Sequence, residues 1–409
     1  MLSYIIGVVL FVIGACLSVA VHEAGHMLTA KAFGMKVRRF FVGFGPKIFS
    51  FRRGETEYGL KAIPLGGFCD IAGMTALDEV TEDEKPRAMY RFAAWKRTVV
   101  MVAGIALNFV LGFVILYLMA ITMGLPNLAA AQEEPKPNIA SVSACVRDAR
   151  TIEENNNPVC RPGDPAPARD AGMLPGDLVT SVGGTPTPTW TDMLAAVQKA
   201  EGPTPVQVLR NGQPVDLTIN VPRVLRPDGN GGTKQVGAIG AARVMAPRML
   251  DYGPVAAIGG TVSFTGEMFS QTVQKLIEFP QRIPAVVESI FGGERDPETP
   301  VSIVGASRIG GEAVEAGLWE VFVLLLASLN FFLGVFNLLP LLPMDGGHIA
   351  VVWYEKIRNS IRKARGKGIG APVDYTKLSS VTMVIVFIGA AVVLLTVTAD
   401  IVNPIRLLP

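Results

Sequence analysis

The stretch MLSYIIGVVLFVIGACLSVAVHEAGH, residues 1–26, decides the fold. Its first 21 residues contain no Asp, Glu, Lys, Arg or His, and the run ends directly on His22, Glu23 and His26. About 20 apolar residues cross the ~30 Å hydrocarbon core of a bilayer, so the stretch predicts a membrane helix with ionisable groups at one end. Three further runs are as long and as free of charge: Thr98–Gly124, Val321–Met344 and Leu378–Ala399. Half of the 409 residues are apolar, and the mean hydropathy is +0.39. The fold class expected is therefore an α-helical polytopic membrane protein with four transmembrane helices. A formal net charge of +2, from 37 basic and 35 acidic residues, gives no electrostatic footprint for nucleic acid.

Charge segregation orients the bundle. Residues 31–97 hold 13 Lys/Arg against 8 Asp/Glu, and residues 345–377 hold 7 against 3. The long segment 125–320 holds 16 against 22. The positive-inside rule then puts both basic loops in the cytoplasm. The acidic segment and both termini lie outside, in an N-out/C-out arrangement at the plasma membrane.

On a helix, residues i and i+4 share a face. His22 and His26 therefore present two imidazoles to one ion, with Glu23 beside the position of a fourth-ligand water. Ionisable groups at a membrane span are costly and functional by default. A catalytic zinc takes three protein ligands, and the third candidate is Asp345, in Asn337-Leu338-Leu339-Pro340-Leu341-Leu342-Pro343-Met344-Asp345-Gly346-Gly347-His348. The first and third spans both exit on the cytoplasmic side, so the two motifs meet at one depth. His348 lies beyond two glycines and is placed outside the ligand set.

The chain divides as follows. Residues 1–32 form the first span with its zinc motif, and 33–97 a cytoplasmic-side loop with a re-entrant β region. Residues 98–124 form the second span, and 125–138 an Ala/Pro/Glu-rich linker. A β-rich module follows at 139–222, then a connector at 223–317 with amphipathic helical character over 255–292. The third span with its Asp motif covers 318–348, a basic loop 349–377, the fourth span 378–402 and a short outer tail 403–409. In the β-rich module, Asp170-Ala171-Gly172-Met173-Leu174-Pro175-Gly176-Asp177 precedes Val182-Gly183-Gly184, a helical stretch, and two apolar runs around the hairpin signal Asn211-Gly212. That order resembles the PDZ domains of bacterial membrane and periplasmic proteases, which bind extended peptides by strand addition. A steric spacer is the alternative reading. Cys145 and Cys160 lie together in this outer segment, where a disulfide or two free thiols are both open.

Taken together, these motifs resemble the site-2 proteases, intramembrane zinc metalloproteases, and within them the RseP type and its single-PDZ actinobacterial branch. The likeness rests on His22-Glu23-Ala24-Gly25-His26, the Asn337–Gly347 stretch, Val42-Gly43-Phe44-Gly45-Pro46 and Tyr58–Phe68. It implies one catalytic Zn²⁺ on His22, His26 and Asp345, with Glu23 as general base. It also implies substrate contacts at Asn337, at Asn330 and at an edge strand around Gly43, Phe44 and Gly45. The substrates implied are single-span membrane proteins such as anti-sigma factors, trimmed first by a site-1 protease. Clearance of signal-peptide remnants, or a non-enzymatic PDZ adaptor with a structural zinc, are the alternatives. One departure stands out: the family's Gly-Pro before Asn-Phe in the second span is Gly104-Ile105-Ala106-Leu107-Asn108-Phe109 here.

Overall fold

The computed structural model describes residues 1–75, 78–128, 135–151, 154, 159–227, 232–243, 247–368, 370, 373 and 375–407. It separates into two compact units, one of residues 1–125 with 251–409 and one of residues 126–250. Residues 129–134 of the expected linker and the glycine-rich 228–231 lie outside the described residues.

The first unit opens with helix α1, Leu2–Ala32. The helix continues without a break past the charge-free run and through the two histidines, and stops before Gly34, whose φ of +81° suits a residue without a Cβ. Its buried residues Gly7, Phe11, Ser18, His22, Gly25 and His26 recur at helical spacing along one face. Two strands follow, β1 (Val37–Arg53) and β2 (Thr56–Ile71), joined by a turn at Gly54. They fold over on themselves. Residues 49–53 pair with 56–60, while 39–42 stand between 67–70 on one side and 57–60 on the other. Phe44, Ile48, Phe49, Phe51, Leu60 and Ile63 are exposed on this sheet, an apolar surface that suits lipid rather than water. Beyond it, Arg38 fastens the loop to the sheet through Glu84 (2.9 Å from Nε) and Asp78 (2.9 Å from Nη1). The guanidinium holds the Glu84 carboxyl down to about 2.

Helix α2, Ala94–Thr122, crosses α1 where Gly25 lies against the backbone of Ala103 and Gly104. A Cβ at Gly25 would lie 2.5 Å from the Ala103 carbonyl oxygen. Small residues let two helices approach this closely in lipid, where packing replaces the hydrophobic effect as the force between them. After the second unit come α3 (Pro254–Ile290), α4 (Ile303–Glu315) and α5 (Trp319–Asn337). Then follow α6 (Asp345–Ala364) and α7 (Tyr375–Val402). Helix α4 is capped by the Ser302 hydroxyl and presents Gly310 and Gly311 to Gly7 and Phe11 of α1. Arg295 donates to Asp400 Oδ1 (2.9 Å) and the Ser302 amide to Asp400 Oδ2 (2.6 Å), so one buried carboxylate ties α7 to the start of α4.

Among the described residues, four helices are long and apolar enough to cross a membrane: Leu2–Ala32, Ala94–Thr122, Trp319–Asn337 and Leu378–Val402. The third expected span ran to Met344, but the helix ends at Asn337. Residues 338–344 form a tight turn whose two prolines remove backbone donors and cannot continue the helix. Asp345 instead begins α6.

In the second unit, strands 185–186, 178–182, 202–210 and 213–221 form one antiparallel sheet in that order. Helix Trp190–Lys199 starts on a Thr189–Asp192 capping box. Its Met193 and Val197 pack on Val179, Val182, Val206, Val208, Ile219 and Val221. Each such fully buried side chain contributes about 1.5–3 kcal/mol. Arg210 donates twice to Asp177 at 2.8 Å, which keeps that carboxyl below the usual range. The unit exceeds the expected 139–222. Strands 223–227 and 233–237 form a hairpin, and 241–243 pairs with 139–142, so residues to 250 belong here and not to a connector. Cys145 and Cys160 are disulfide-bonded.

Candidate active site

Helix α1 places His22 and His26 one turn apart, and the first residue of α6 brings Asp345 to them. His22 Nε2 lies 3.1 Å from His26 Nε2. Asp345 Oδ2 lies 3.1 Å from the first and 3.2 Å from the second. All three residues are buried, yet Asp345 Oδ2 receives no hydrogen bond from either ring. The two Nε2 atoms are within hydrogen-bond distance of one another, and the three ligand atoms converge on a common point with the carboxylate oxygen left unsatisfied. Ligands at 2.0–2.1 Å on a tetrahedral Zn²⁺ stand about 3.3 Å apart, so the triangle has the size and the N,N,O chemistry that zinc takes.

The carboxylate is delivered by backbone packing. A Cβ on Gly347 would come within 2.6 Å of Leu342 N, and one on Gly346 would run into the carbonyl oxygens of Leu338 and Leu339. The first turn of α6 is thus wedged against the 338–342 turn, which explains the glycine pair after the aspartate. On the opposite side, α2 orients the imidazoles. His26 Nδ1 donates to the Val100 carbonyl at 2.8 Å. A carbonyl only accepts, so His26 Nε2 is left bare for a metal. The Asn108 side-chain amide stands 3.2 Å from His22 Nδ1.

Glu23 projects beside the triangle toward β2. Gly67 faces its Cγ, where a Cβ would come within 3.3 Å, and the backbone amide of Cys69 faces its carboxylate. The strand 67–70 pairs, among the described residues, only with 39–42, and so offers its outer edge beside Glu23. At the expected edge, Gly43-Phe44-Gly45, Gly43 is buried while Phe44 and Gly45 are exposed. Gly43 (φ +89°) lies under the carbonyl oxygens of Lys61 and Ile63, at 2.7 and 2.9 Å from where its Cβ would be. Phe44 covers Gly66 and stacks on Phe68. Gly43 of that corner is thus packed under β2, and Phe44 reaches across to the strand beside Glu23.

Asn337 is the last residue of α5, half-buried, with Nδ2 donating to Leu333 O at 3.0 Å. Asn330 is fully buried and donates to Ser18 Oγ (3.0 Å) and Leu326 O (2.9 Å). Its amide fastens α5 to α1 and has no exposed face for a substrate, which corrects that expectation. His348 stands outside the triangle, with Nδ1 buried and unpartnered.

The family model for peptidase family M50 matches residues 10–381. The chain belongs to peptidase family M50. It is 49% identical to the zinc metalloprotease Rip1 of Mycolicibacterium smegmatis, with 98% of each chain covered. Identity to the Mycobacterium tuberculosis protein of that name is 46%, over 99% of this chain and 100% of the relative. A putative zinc metalloprotease of Mesorhizobium japonicum is 31% identical, over 83% and 86%. As an M50 site-2 protease, the chain is a multi-pass membrane enzyme that uses Zn²⁺ to cut membrane proteins. Gly104 and Asn108 were quoted in the sequence reading only for the missing proline between them, and their place beside His26 and His22 escaped it. The available signal was an amide in a span free of charge.

Proposed function

We propose that His22, His26 and Asp345 hold the catalytic Zn²⁺ and that Glu23 is the general base. The convergence of three donor atoms, with Oδ2 of Asp345 left without a hydrogen bond, carries this reading. Zn²⁺ supplies Lewis acidity there, acidifying water and polarising a carbonyl oxygen. A Glu23 carboxylate oxygen takes the water proton and returns it to the leaving nitrogen. Cutting needs an unwound peptide, because a helix shields its own backbone bonds. The outer edge of 67–70 pairs with such a segment as an added strand and holds the scissile bond beside Glu23. Asn337 lends its amide to the same backbone.

The substrates on this reading are single-span proteins such as anti-sigma factors, shortened first by a site-1 protease. The basic loops 31–97 and 345–377 face the cytoplasm, and with them the catalytic end of α1. The unit inserted between α2 and α3 is a PDZ-type module outside the membrane, and it excludes substrates with bulky outer domains. The test is to express Glu23→Ala in cells and follow membrane fragments. Trimmed single-span fragments should accumulate relative to wild type. Unchanged levels of every such fragment would remove the role.

A further inference from the structure

We propose that Asn108 is a positioning residue: its Oδ1 accepts the His22 Nδ1 proton and so fixes the imidazole with Nε2 bare toward the metal. The inference rests on the ligand assignment above and extends it to α2.

Asn108 is fully buried in the middle of a span, where an uncompensated amide is costly. The placed orientation puts Nδ2 at 3.2 Å from His22 Nδ1 and leaves Asn108 Oδ1 buried without a partner. In that orientation Nδ1 accepts, so the ring proton sits on Nε2. That is the atom 3.1 Å from both His26 Nε2 and Asp345 Oδ2. The arrangement fails twice, with one orphaned carbonyl oxygen and one proton on the lone pair the metal needs. Turning the amide over exchanges O and N with almost no movement of atoms. Oδ1 then accepts from Nδ1–H, and Nε2 is free.

The second histidine supports this assignment independently. His26 Nδ1 already donates to an α2 acceptor, the Val100 carbonyl, at 2.8 Å. Because α1 and α2 run in opposite directions here, Val100 serves His26 and Asn108 serves His22. Both rings are held in one tautomer by one helix. An orienting partner of a metal-bound imidazole typically carries a 10–100-fold effect on metal affinity.

The test uses the purified full chain in detergent, with Zn²⁺ affinity measured by chelator competition. Asn108→Leu keeps the branched shape and removes the acceptor, and should weaken Zn²⁺ binding about 10–100-fold. Asn108→Asp keeps the acceptor and should stay within a few-fold of wild type. Wild-type affinity in Asn108→Leu overturns the inference, as does an equal loss in both variants. A second readout needs no carboxylate variant to fold. In ¹⁵N-histidine-labelled, zinc-loaded wild type, two slowly exchanging Nδ1–H protons are expected, for His22 and His26. In Asn108→Leu only that of His26 should persist. Two persisting protons in Asn108→Leu also overturn it. His22→Ala separates this inference from the ligand reading. If His22→Ala keeps wild-type zinc affinity, the ligand assignment itself falls. If it loses zinc while Asn108→Leu does not, only the role of Asn108 falls.

Discussion

Gly104 presses on the proposed metal site from α2, and Gly104→Ala measures how tightly. The new methyl would stand 2.5 Å from His26 Cε1, closer still to Nε2, and 2.9 Å from the His22 carbonyl oxygen. Ordinary carbon contacts lie at about 3.5–4.0 Å. Either the imidazole withdraws by roughly 1 Å or α1 and α2 separate by as much, since the contact spans both helices. Overpacking of this kind costs about 1–3 kcal/mol, which corresponds to roughly 5–150-fold in an equilibrium constant. Because the displaced atom is a metal-facing nitrogen, the loss should appear in Zn²⁺ affinity and not only in stability. The assay is chelator competition on the purified full chain, paired with thermal unfolding. Gly112→Ala serves as control. It lies on the same helix as Gly104, its methyl would stand 2.9 Å from the Phe331 ring of α5, away from the histidines, and it should lower stability while leaving zinc affinity unchanged. Wild-type zinc affinity in Gly104→Ala, or an equal loss in Gly112→Ala, would refute the reasoning.

Three further outcomes are expected. Asp400→Ala leaves Arg295 as an unpaired buried charge and should destabilise by about 3–5 kcal/mol in thermal or denaturant unfolding; the double variant Arg295→Met/Asp400→Leu should recover much of this. Glu84 titrates near 2 when folded and about 4.3 when unfolded, so its stabilisation is complete above about pH 4.5 and is lost as pH falls through 2. Hydrogen exchange in the segment around 78–91 should rise over that window in wild type, and Arg38→Ala should abolish the dependence. Reducing the Cys145–Cys160 bridge, which closes a loop of sequence separation 15, should lower the stability of the second unit by about 3 kcal/mol, read by its unfolding midpoint with and without reductant.

The spans and the three donor residues were legible because they rest on local signals. An uncharged run of helix length and a His-x-x-x-His spacing are properties of consecutive residues. Asp345 was legible through depth, since it ends the third apolar run on the side where α1 ends. The strand beside Glu23 was not. Residues 39–42 and 67–70 pair across an intervening hairpin, and alternating apolar residues do not state which strand becomes the edge. The corner Gly43–Gly45 was read as the edge because its glycines mark a bend, and a bend does not reveal that Gly43 packs under β2. Asn330 and Asn108 show the same limit from two sides. Both are amides in apolar helices, and only packing separates the one that ties α5 to α1 from the one that reaches His22. The break after Asn337 was hidden by hydrophobicity, because Leu338–Met344 is as apolar as a helix yet contains two prolines. The second unit outgrew its expected limit because 241–243 returns to pair with 139–142, a contact between residues about a hundred positions apart.

The most direct test of the account is Zn²⁺ content and cleavage of a model transmembrane segment, measured side by side on purified wild type, Glu23→Gln and Asp345→Asn. The account predicts that Glu23→Gln retains zinc and loses cleavage, while Asp345→Asn loses both. Retention of stoichiometric zinc by Asp345→Asn, or cleavage by Glu23→Gln at the wild-type rate, would contradict it.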